Sequence, residues 1–116
     1  MALFDQIKND LINELELSEE EATIFISLIK FEKTSSINFK SLFDDKLEHW
    51  KKICKELEQK GMIIEINKDV FQNLHPRFAI VNRYRRLCKE KNIVFKKNIK
   101  IDNIGILLEG YQNKKD

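Results

Sequence analysis

Apolar residues recur at helical spacing near the start of the chain. Between residues 3 and 15, and again from Glu19 to about Phe31, they return every three or four positions, which is the pattern of one buried helix face. Ser18 and Glu21 stand three residues apart at the head of the second segment, the spacing of a capping box. The pattern therefore predicts two successive helices.

The middle of the chain predicts two further helices. A polar connector at residues 32–37 is expected to lead into a short helix over 38–43, and the two aspartates at 44–45 provide an N-cap for the next one. That next helix, at 46–60, has the most regular apolar stripe in the chain. Gly61 follows it, at a position where a left-handed C-cap favours glycine.

A β-hairpin is predicted after Gly61. Two short apolar runs, 62–66 and 70–74, flank the polar residues 67–69. Pro76 then suits the first position of a new helix, because its missing N–H costs nothing there. The inward face of this helix is expected at Phe78, Val81, Tyr84, and Leu87 or Cys88.

The last quarter predicts one more helix. Apolar residues recur every seven positions from Ile80 to Leu108, but polar residues and a glycine interrupt the series. We expect a break near Asn92 or Asn98 and a last helix from about Asp102 to Tyr111. The tail after it, residues 112–116, is expected to fray.

This element order predicts a mainly α fold with a small β-hairpin: a winged helix-turn-helix with extra N- and C-terminal helices. A length of 116 residues suits a single domain over 1–116, with its core at about 17–90. Three glycines and one proline are too few for a turn-rich β-sandwich. The terminal helices at 3–15 and 93–111 are candidate dimerisation elements.

Charge is unevenly distributed along the chain. Residues 1–45 carry 4 basic and 10 acidic side chains, net −6, whereas residues 76–100 carry 9 basic and 1 acidic, net +8. Such a basic stretch attracts polyanions and releases counterions from phosphates. It can also be a solvated face, or one paired with the acidic N-terminal third.

Other function classes have little support in the sequence. The chain lacks a GxSxG motif and a phosphate-binding glycine run, so no enzyme and no cofactor is predicted. His49 and Cys54 are five apart, a spacing that does not align them on a helix, so no metal site is predicted. Both cysteines, Cys54 and Cys88, are interpreted as reduced apolar fillers. No apolar run is long enough for a membrane span, and a cytoplasmic location is expected.

Three segments resemble one family of regulators. Residues 17–29 (LSEEEATIFISLI) resemble the opening helix of archaeal TrmB-like transcriptional regulators, which are related in fold to MarR regulators. Residues 57–63 (LEQKGMI) resemble the end of that family's recognition helix, and 75–78 (HPRF) fall where the family leaves its wing. The resemblance covers roughly residues 14–90. It implies binding of double-stranded DNA by a homodimer whose terminal helices dimerise.

The resemblance and the charge pattern together give a set of candidate DNA-binding residues. They lie on the third helix, the hairpin turn and the basic helix: Lys46, His49, Lys51, Lys52, Lys55, Lys68, Arg77, Arg83, Arg85 and Arg86. Asp45 and Glu48 depart from the family pattern. Acidic groups in the third helix would repel phosphates. This departure favours the alternative of a winged-helix adaptor that binds a protein partner.

Four side chains have competing interpretations. The helical spacing of Trp50 favours the core over base stacking. His75 is interpreted as a helix cap or a contact at the base of the hairpin rather than a metal ligand. Tyr84 fits core packing and phosphate contact equally well. Lys68 fits either a phosphate contact or a plain solvated turn.

Overall fold

The fold is mainly helical with a small antiparallel hairpin, as the sequence predicts. The computed structural model describes residues 2–31, 37–38, 47–68 and 70–113. Its helices are α1 (Ala2–Leu15), α2 (Glu19–Phe31), α3 (Leu47–Gln59), α4 (Pro76–Lys91) and α5 (Ile99–Asn113). Its strands are β1 (Ile37–Asn38), β2 (Ile63–Asn67) and β3 (Val70–Asn73).

The hairpin is part of a three-stranded sheet in the order β1-β3-β2, with both pairings antiparallel. Ile37 pairs with Phe71 and Asn38 pairs with Val70. The predicted connector and short helix are therefore wrong at Ile37 and Asn38, which form β1. One edge of β3 is left unpaired by the hairpin, and residues 37–38 bond to it. Partners that are distant in the sequence therefore determine the local structure at these two residues. The rest of the predicted short helix, and the aspartates at 44–45, lie outside the described residues.

Local signals at the helix ends are confirmed. The Ser18 backbone N–H donates to Glu21 Oε1 at 2.9 Å, and the Glu21 N–H donates to Ser18 Oγ at 3.0 Å, which is a complete capping box. Gly61 has φ = 83°, in the left-handed region. Pro76 is the first residue of α4, and the side chain of the N-cap residue His75 accepts the backbone N–H of Arg77.

Buried apolar residues from α1, α2, α3, the hairpin, α4 and α5 pack into one core. Its largest members include Phe25 of α2, Leu57 of α3 and Phe71 of β3. Cys54 and Cys88 are both buried and free, as predicted. Trp50 is half-buried and packs against this core, which agrees with the interpretation from its spacing.

The predicted break after α4 is confirmed at both asparagines. Asn92 ends α4 with a left-handed backbone, and the side-chain oxygen of Asn98 accepts the N–H groups of Lys100 and Ile101 at the start of α5. Helix α5 begins three residues before the predicted Asp102 and continues to Asn113. Its buried residues include the four that the spacing selected: Ile101, Ile104, Leu108 and Tyr111.

The predicted inward face of α4 is wrong at Phe78, whose side chain is 55% exposed. The buried positions of this helix are instead Pro76, Ala79, Ile80, Arg83, Leu87 and Cys88. The buried face includes an arginine, so the spacing of apolar residues alone predicted the wrong face of the helix. Helix α4 therefore packs through a face rotated from the expected one.

Candidate nucleic-acid interface

Helix α3 is held against α2 by one ion pair and one hydrogen bond between a histidine and a carboxylate. Just beyond its C-terminal end, Lys60 Nζ lies 2.6 Å from both carboxylate oxygens of the buried Glu21. Near its N-terminal end, His49 Nε2 lies 2.7 Å from Glu20 Oε2. Since the two contacts are more than two helical turns apart, they fix the direction of α3 relative to α2.

The C-terminal end of α3 is capped by side chains from α4. Asn82 Nδ2 donates to the Gly61 carbonyl at 2.7 Å, and an Arg86 guanidinium N–H donates to the Gln59 carbonyl at 2.5 Å. These bonds occupy carbonyls that a helix end leaves without partners. A Cβ on Gly61 would lie 2.3 Å from Asn82 Nδ2 and 2.8 Å from Arg86 Nε, so both side chains would have to shift from these bonds, while the φ of 83° itself favours glycine.

The face of α3 opposite the core is a polar stripe. Its buried side carries Ile53, Cys54 and Leu57. Positions on the other side recur at i, i+4, i+7 and i+11, which share one helix face. All four of these side chains are exposed: Glu48, Lys52, Lys55 and Gln59. We call these four residues the outward stripe.

Cations on and beside the outward stripe lie next to carboxylates. Lys51 Nζ is 3.5 Å from Glu48 Oε2, and Lys55 forms an ion pair with Glu65 of β2. His49, predicted to face a groove, is instead paired with α2. A cation beside a carboxylate contributes little net charge to the surface, so the ridge that the lysines form is only weakly positive.

A second polar surface adjoins the C-terminal end of the outward stripe. It is a cavity of about 660 Å³ lined by Gln59, Asn82, Arg85, Arg86, Lys89 and Glu90. We call this surface the basic concavity. Gln59 belongs both to it and to the outward stripe. The exposed polar face of α3 therefore continues without a break onto the basic helix α4.

The arginines of the concavity are bonded to neutral groups. Arg85 donates to Asn82 Oδ1 at 3.4 Å, and its guanidinium carbon lies 5.0 Å from the centre of the Phe95 ring. Arg86 donates to a backbone carbonyl. Both guanidinium groups are therefore oriented by the protein without losing their net charge.

Arg83 is the clear correction among the predicted DNA contacts. It is 3% exposed, its Nε donates to the Leu15 carbonyl at 3.0 Å, and its NH1 lies 3.4 Å from Glu90 Oε2. The guanidinium therefore caps the C-terminal end of α1 and is not presented to a phosphate. Sequence spacing missed this role, because Leu15 is 68 residues away.

The other predicted cations occupy different places. Arg77 is exposed, and its NH1 lies 3.7 Å from Glu109 of α5, close to His75. This pairing directs Arg77 toward α5. Arg77 does not line the concavity. Lys68 is exposed in the hairpin turn. Lys46 lies outside the described residues.

Tyr84 makes one contact through its hydroxyl and one through its ring. Its hydroxyl accepts a hydrogen bond from Asn98 Nδ2 at 3.3 Å, and its ring is tilted against Phe95 with centroids 5.7 Å apart. It is half-buried. Of the two interpretations left open by its position, these contacts favour packing.

Sequence reasoning missed Gln59, Asn82 and Lys89 as residues of the site. Lys89 follows Arg85 by four positions and Arg86 by three, so helical spacing alone places the three on one face. Asn82 and Gln59 gave no such signal. They belong to the site only because side chains of α4 contact the residues that end α3.

Other chemistry has no support in the described residues. The pKa of the Cys54 thiol is raised to about 12 by burial and, less strongly, by the nearby Glu58 carboxylate, so it is a poor nucleophile. In the described segments, no group of three or more His, Cys, Asp or Glu is placed to hold a metal ion. Likewise, no described helix combines the length and apolarity that crossing a bilayer requires.

Comparisons with models of protein families, with curated proteins and with solved structures find no match to this chain. Its function is therefore inferred from its own residues and their arrangement.

Proposed function

We propose that this chain is a winged-helix protein that binds double-stranded DNA as a homodimer and acts as a transcriptional regulator. The described elements, namely the first two helices, a strand that pairs with the hairpin and a helix that precedes the hairpin, are compatible with a winged helix. In such a domain α3 enters the major groove and the hairpin lies along the neighbouring backbone. Helix α3 is exposed on the side that this docking needs.

The observation that carries the proposal is the continuity of the outward stripe with the basic concavity. Lys52 lies on the stripe, Gln59 joins the two surfaces, and Arg85, Arg86 and Lys89 follow on α4. A duplex lying along α3 would bring its phosphates to these cations. Phosphate contacts of this kind supply most of the affinity of non-specific DNA binding.

The proposed contact set differs from the one that the sequence predicts. Arg83 is removed because it is buried, and Lys89 is added because it lines the concavity. Lys51 and Lys55 remain candidates, since exposed ion pairs are worth about 1 kcal/mol or less and a phosphate can displace the carboxylate. Lys68 would serve the hairpin, and Lys46 remains a prediction from the sequence.

The decisive experiment is a titration of mixed-sequence duplex DNA, followed by fluorescence anisotropy at several salt concentrations. Each phosphate contact is expected to contribute a slope of about −0.9 to log K against log salt. We expect a steep dependence for the wild type and a slope less steep by about 0.9 for Lys52→Ala. Absence of binding at about 50 mM salt, or a flat salt response, would remove the proposal.

A winged-helix adaptor that binds a protein is the second candidate. The observation that favours it is the pairing of Lys51 with Glu48 and of Lys55 with Glu65, which leaves α3 nearly balanced in charge. The adaptor predicts a stoichiometric protein partner that co-purifies with the chain while nucleic acid does not. Retention of DNA by the purified chain would count against it.

A further inference from the structure

Three large apolar side chains are exposed at the junction between α4 and α5. Ile93 is 54% exposed, Val94 78% and Ile99 71%. Single exposed apolar residues are ordinary, but three within seven positions form a patch of the kind that marks an interaction site. We call these three residues the apolar knob.

The connector that carries the knob is anchored to α4. The Phe95 ring packs against Tyr84 with the Arg85 guanidinium over it, and Asn98 donates to the Tyr84 hydroxyl and caps the first turn of α5. Every residue from 89 to 97 is nevertheless exposed. The fold therefore keeps the knob in solvent, because the residues between its members are held in place.

Cations that keep their charge flank the knob. Arg85 is bonded to the Asn82 amide oxygen and to the Phe95 ring, neither of which is charged. Lys89 and Lys96 form no ion pair with any residue that the structure describes. The segment 76–100 has a single acidic residue, at position 90, and its carboxylate lies beside the buried Arg83. A net positive charge is therefore left around the knob.

Two further lysines near the knob are paired only at long distance. Lys97 Nζ lies 4.0 Å from Asp102 and Lys100 Nζ lies 3.9 Å from Glu14, and both lysine side chains are highly exposed. Exposed ion pairs of this kind contribute little, so an anionic ligand can displace these carboxylates. The paired lysines add to the attraction without being required for it.

The combination of apolar and cationic side chains discriminates between anionic ligands. A nucleic acid offers phosphates to the lysines, but its sugar-phosphate backbone has little surface on which to bury three aliphatic side chains. The interface of an anionic bilayer offers both, because charged headgroups lie directly above the acyl chains. A lipid surface therefore matches the knob and its cations together.

We propose that the apolar knob inserts into the interface of an anionic lipid bilayer, with Arg85, Lys89 and Lys96 at the level of the headgroups. Such attachment involves one face of the bilayer and needs no membrane-spanning helix. It is independent of the proposed DNA binding. Since Arg85 and Lys89 also line the basic concavity, the variants that test the attachment leave both residues unchanged.

Co-sedimentation with vesicles tests the apolar part of the attachment. The wild type is expected to bind vesicles of phosphatidylcholine with phosphatidylserine and to bind phosphatidylcholine alone much more weakly. Val94→Gln with Ile99→Gln leaves the net charge unchanged and is expected to weaken binding about tenfold or more. Ile64→Gln with Ile66→Gln, at two exposed isoleucines of β2, is the matched control and is expected to bind like the wild type. Circular dichroism would verify that both double variants remain folded.

A charge variant tests the cationic part. Lys96→Ala is expected to weaken binding to the phosphatidylserine vesicles about fivefold. Lys68→Ala, in the hairpin turn, removes the same charge and is expected to leave vesicle binding unchanged.

A fluorescent variant reports insertion itself. Val94→Trp is expected to shift its emission to the blue with phosphatidylserine vesicles and to be quenched when these also contain brominated phosphatidylcholine. The wild type, whose half-buried Trp50 packs against the core on α3, is expected to show neither change. Binding of Val94→Trp without quenching would mean that the chain is adsorbed by charge alone, which contradicts insertion.

The remaining contrary outcomes are distinct from a failure of DNA binding. Absence of binding to phosphatidylserine vesicles at low salt would overturn the attachment and leave the DNA proposal untouched. Vesicle binding that the Val94 and Ile99 changes do not weaken, or that the β2 control weakens equally, would also overturn it. Loss of DNA affinity or of a stoichiometric protein partner in the Val94 and Ile99 variant, without vesicle binding by the wild type, would assign the knob to that other interface.

Discussion

The outward stripe of α3 and the basic concavity of α4 both carry exposed cations, but they use them differently. On and beside the stripe, Lys51 and Lys55 lie against carboxylates. In the concavity, Arg85 and Arg86 are bonded to an amide oxygen, an aromatic ring and a backbone carbonyl. The first arrangement cancels charge, whereas the second orients the cation and preserves it.

Some cations therefore hold α3 in position, whereas others are available to attract a ligand. Ion pairs between α3 and its neighbours hold the helix in place, and each carboxylate weakens the attraction of its lysine for a ligand until the ligand displaces it. The concavity holds three cations against one carboxylate, Glu90, which lies beside Arg83. It adjoins the end of α3, where its net positive charge can attract a polyanion toward the stripe. The two surfaces depend on each other, because Asn82 and Arg86 of α4 cap the end of α3.

The largest loss of stability is expected from Gly61→Ala, at the point where α4 caps the end of α3. The added Cβ would meet Asn82 and Arg86, and the residue would be held at φ = 83°. Backbone strain, together with the loss of the Asn82 and Arg86 hydrogen bonds as these side chains shift, is expected to lower the free energy of unfolding by about 3 kcal/mol. Urea denaturation followed by circular dichroism would measure the loss.

Gly110→Ala is the matched control for this substitution. Gly110 lies within α5 and has nothing within 4 Å of an added Cβ. Alanine is the better helix former, so this variant is expected to gain about 0.5 to 1 kcal/mol. Equal effects of the two substitutions would contradict the importance of the contact between α3 and α4.

The second prediction concerns Arg83→Met. This substitution tests whether Arg83 contributes to stability, whereas the cations of the concavity contribute to DNA binding. Methionine leaves the Leu15 carbonyl without its donor, and the free energy of unfolding is expected to fall by about 2 kcal/mol. The salt slope of DNA binding is expected to stay unchanged, because the guanidinium is buried. A reduced slope in a folded Arg83→Met protein would restore this residue to the DNA contacts.

Arg83 also shows where prediction from the sequence ends. The capping box at Ser18, the C-cap at Gly61 and the start of α4 at Pro76 were all predictable, because each depends on residues within a few positions along the chain. The burial of Arg83 depends on a carbonyl at the end of α1. No local pattern contains that information.

The same reasoning explains β1 and the basic concavity. Ile37 and Asn38 form a strand because they pair with Phe71 and Val70, which follow more than thirty positions later. The cations of the concavity were visible in the sequence as a basic run. Its position beside α3 was not, since it depends on hydrogen bonds between residues more than twenty positions apart.

The third prediction compares Lys89 with Lys91, two cations near the end of α4. Lys89 lines the concavity, whereas Lys91 is paired with Glu16 and holds the pKa of that carboxyl below its usual range. Lys89→Ala is expected to make the salt slope of DNA binding less steep by about 0.9. Lys91→Ala removes the same charge and is expected to leave the slope nearly unchanged.

Anisotropy titrations of both variants, run on one duplex and one salt series, give the comparison directly. Equal loss of slope in the two variants would indicate that only net charge matters. No loss in either would place the DNA away from the concavity.

The fourth prediction concerns a carboxylate on α3, and its effect on DNA affinity is expected to be small. Glu48→Gln removes the carboxylate beside Lys51 and is expected to raise DNA affinity about two- to fivefold, the range that corresponds to releasing one exposed ion pair. Asp5→Asn, on an exposed position of α1, makes the same change in net charge and serves as the control. Equal gains in both variants would mean that Glu48 does not mask α3 in particular. A loss of affinity in Glu48→Gln would mean that this carboxylate accepts a hydrogen bond from a cytosine amino group. Glu48 would then contribute to recognition of the DNA sequence instead of weakening the attraction of α3 for DNA.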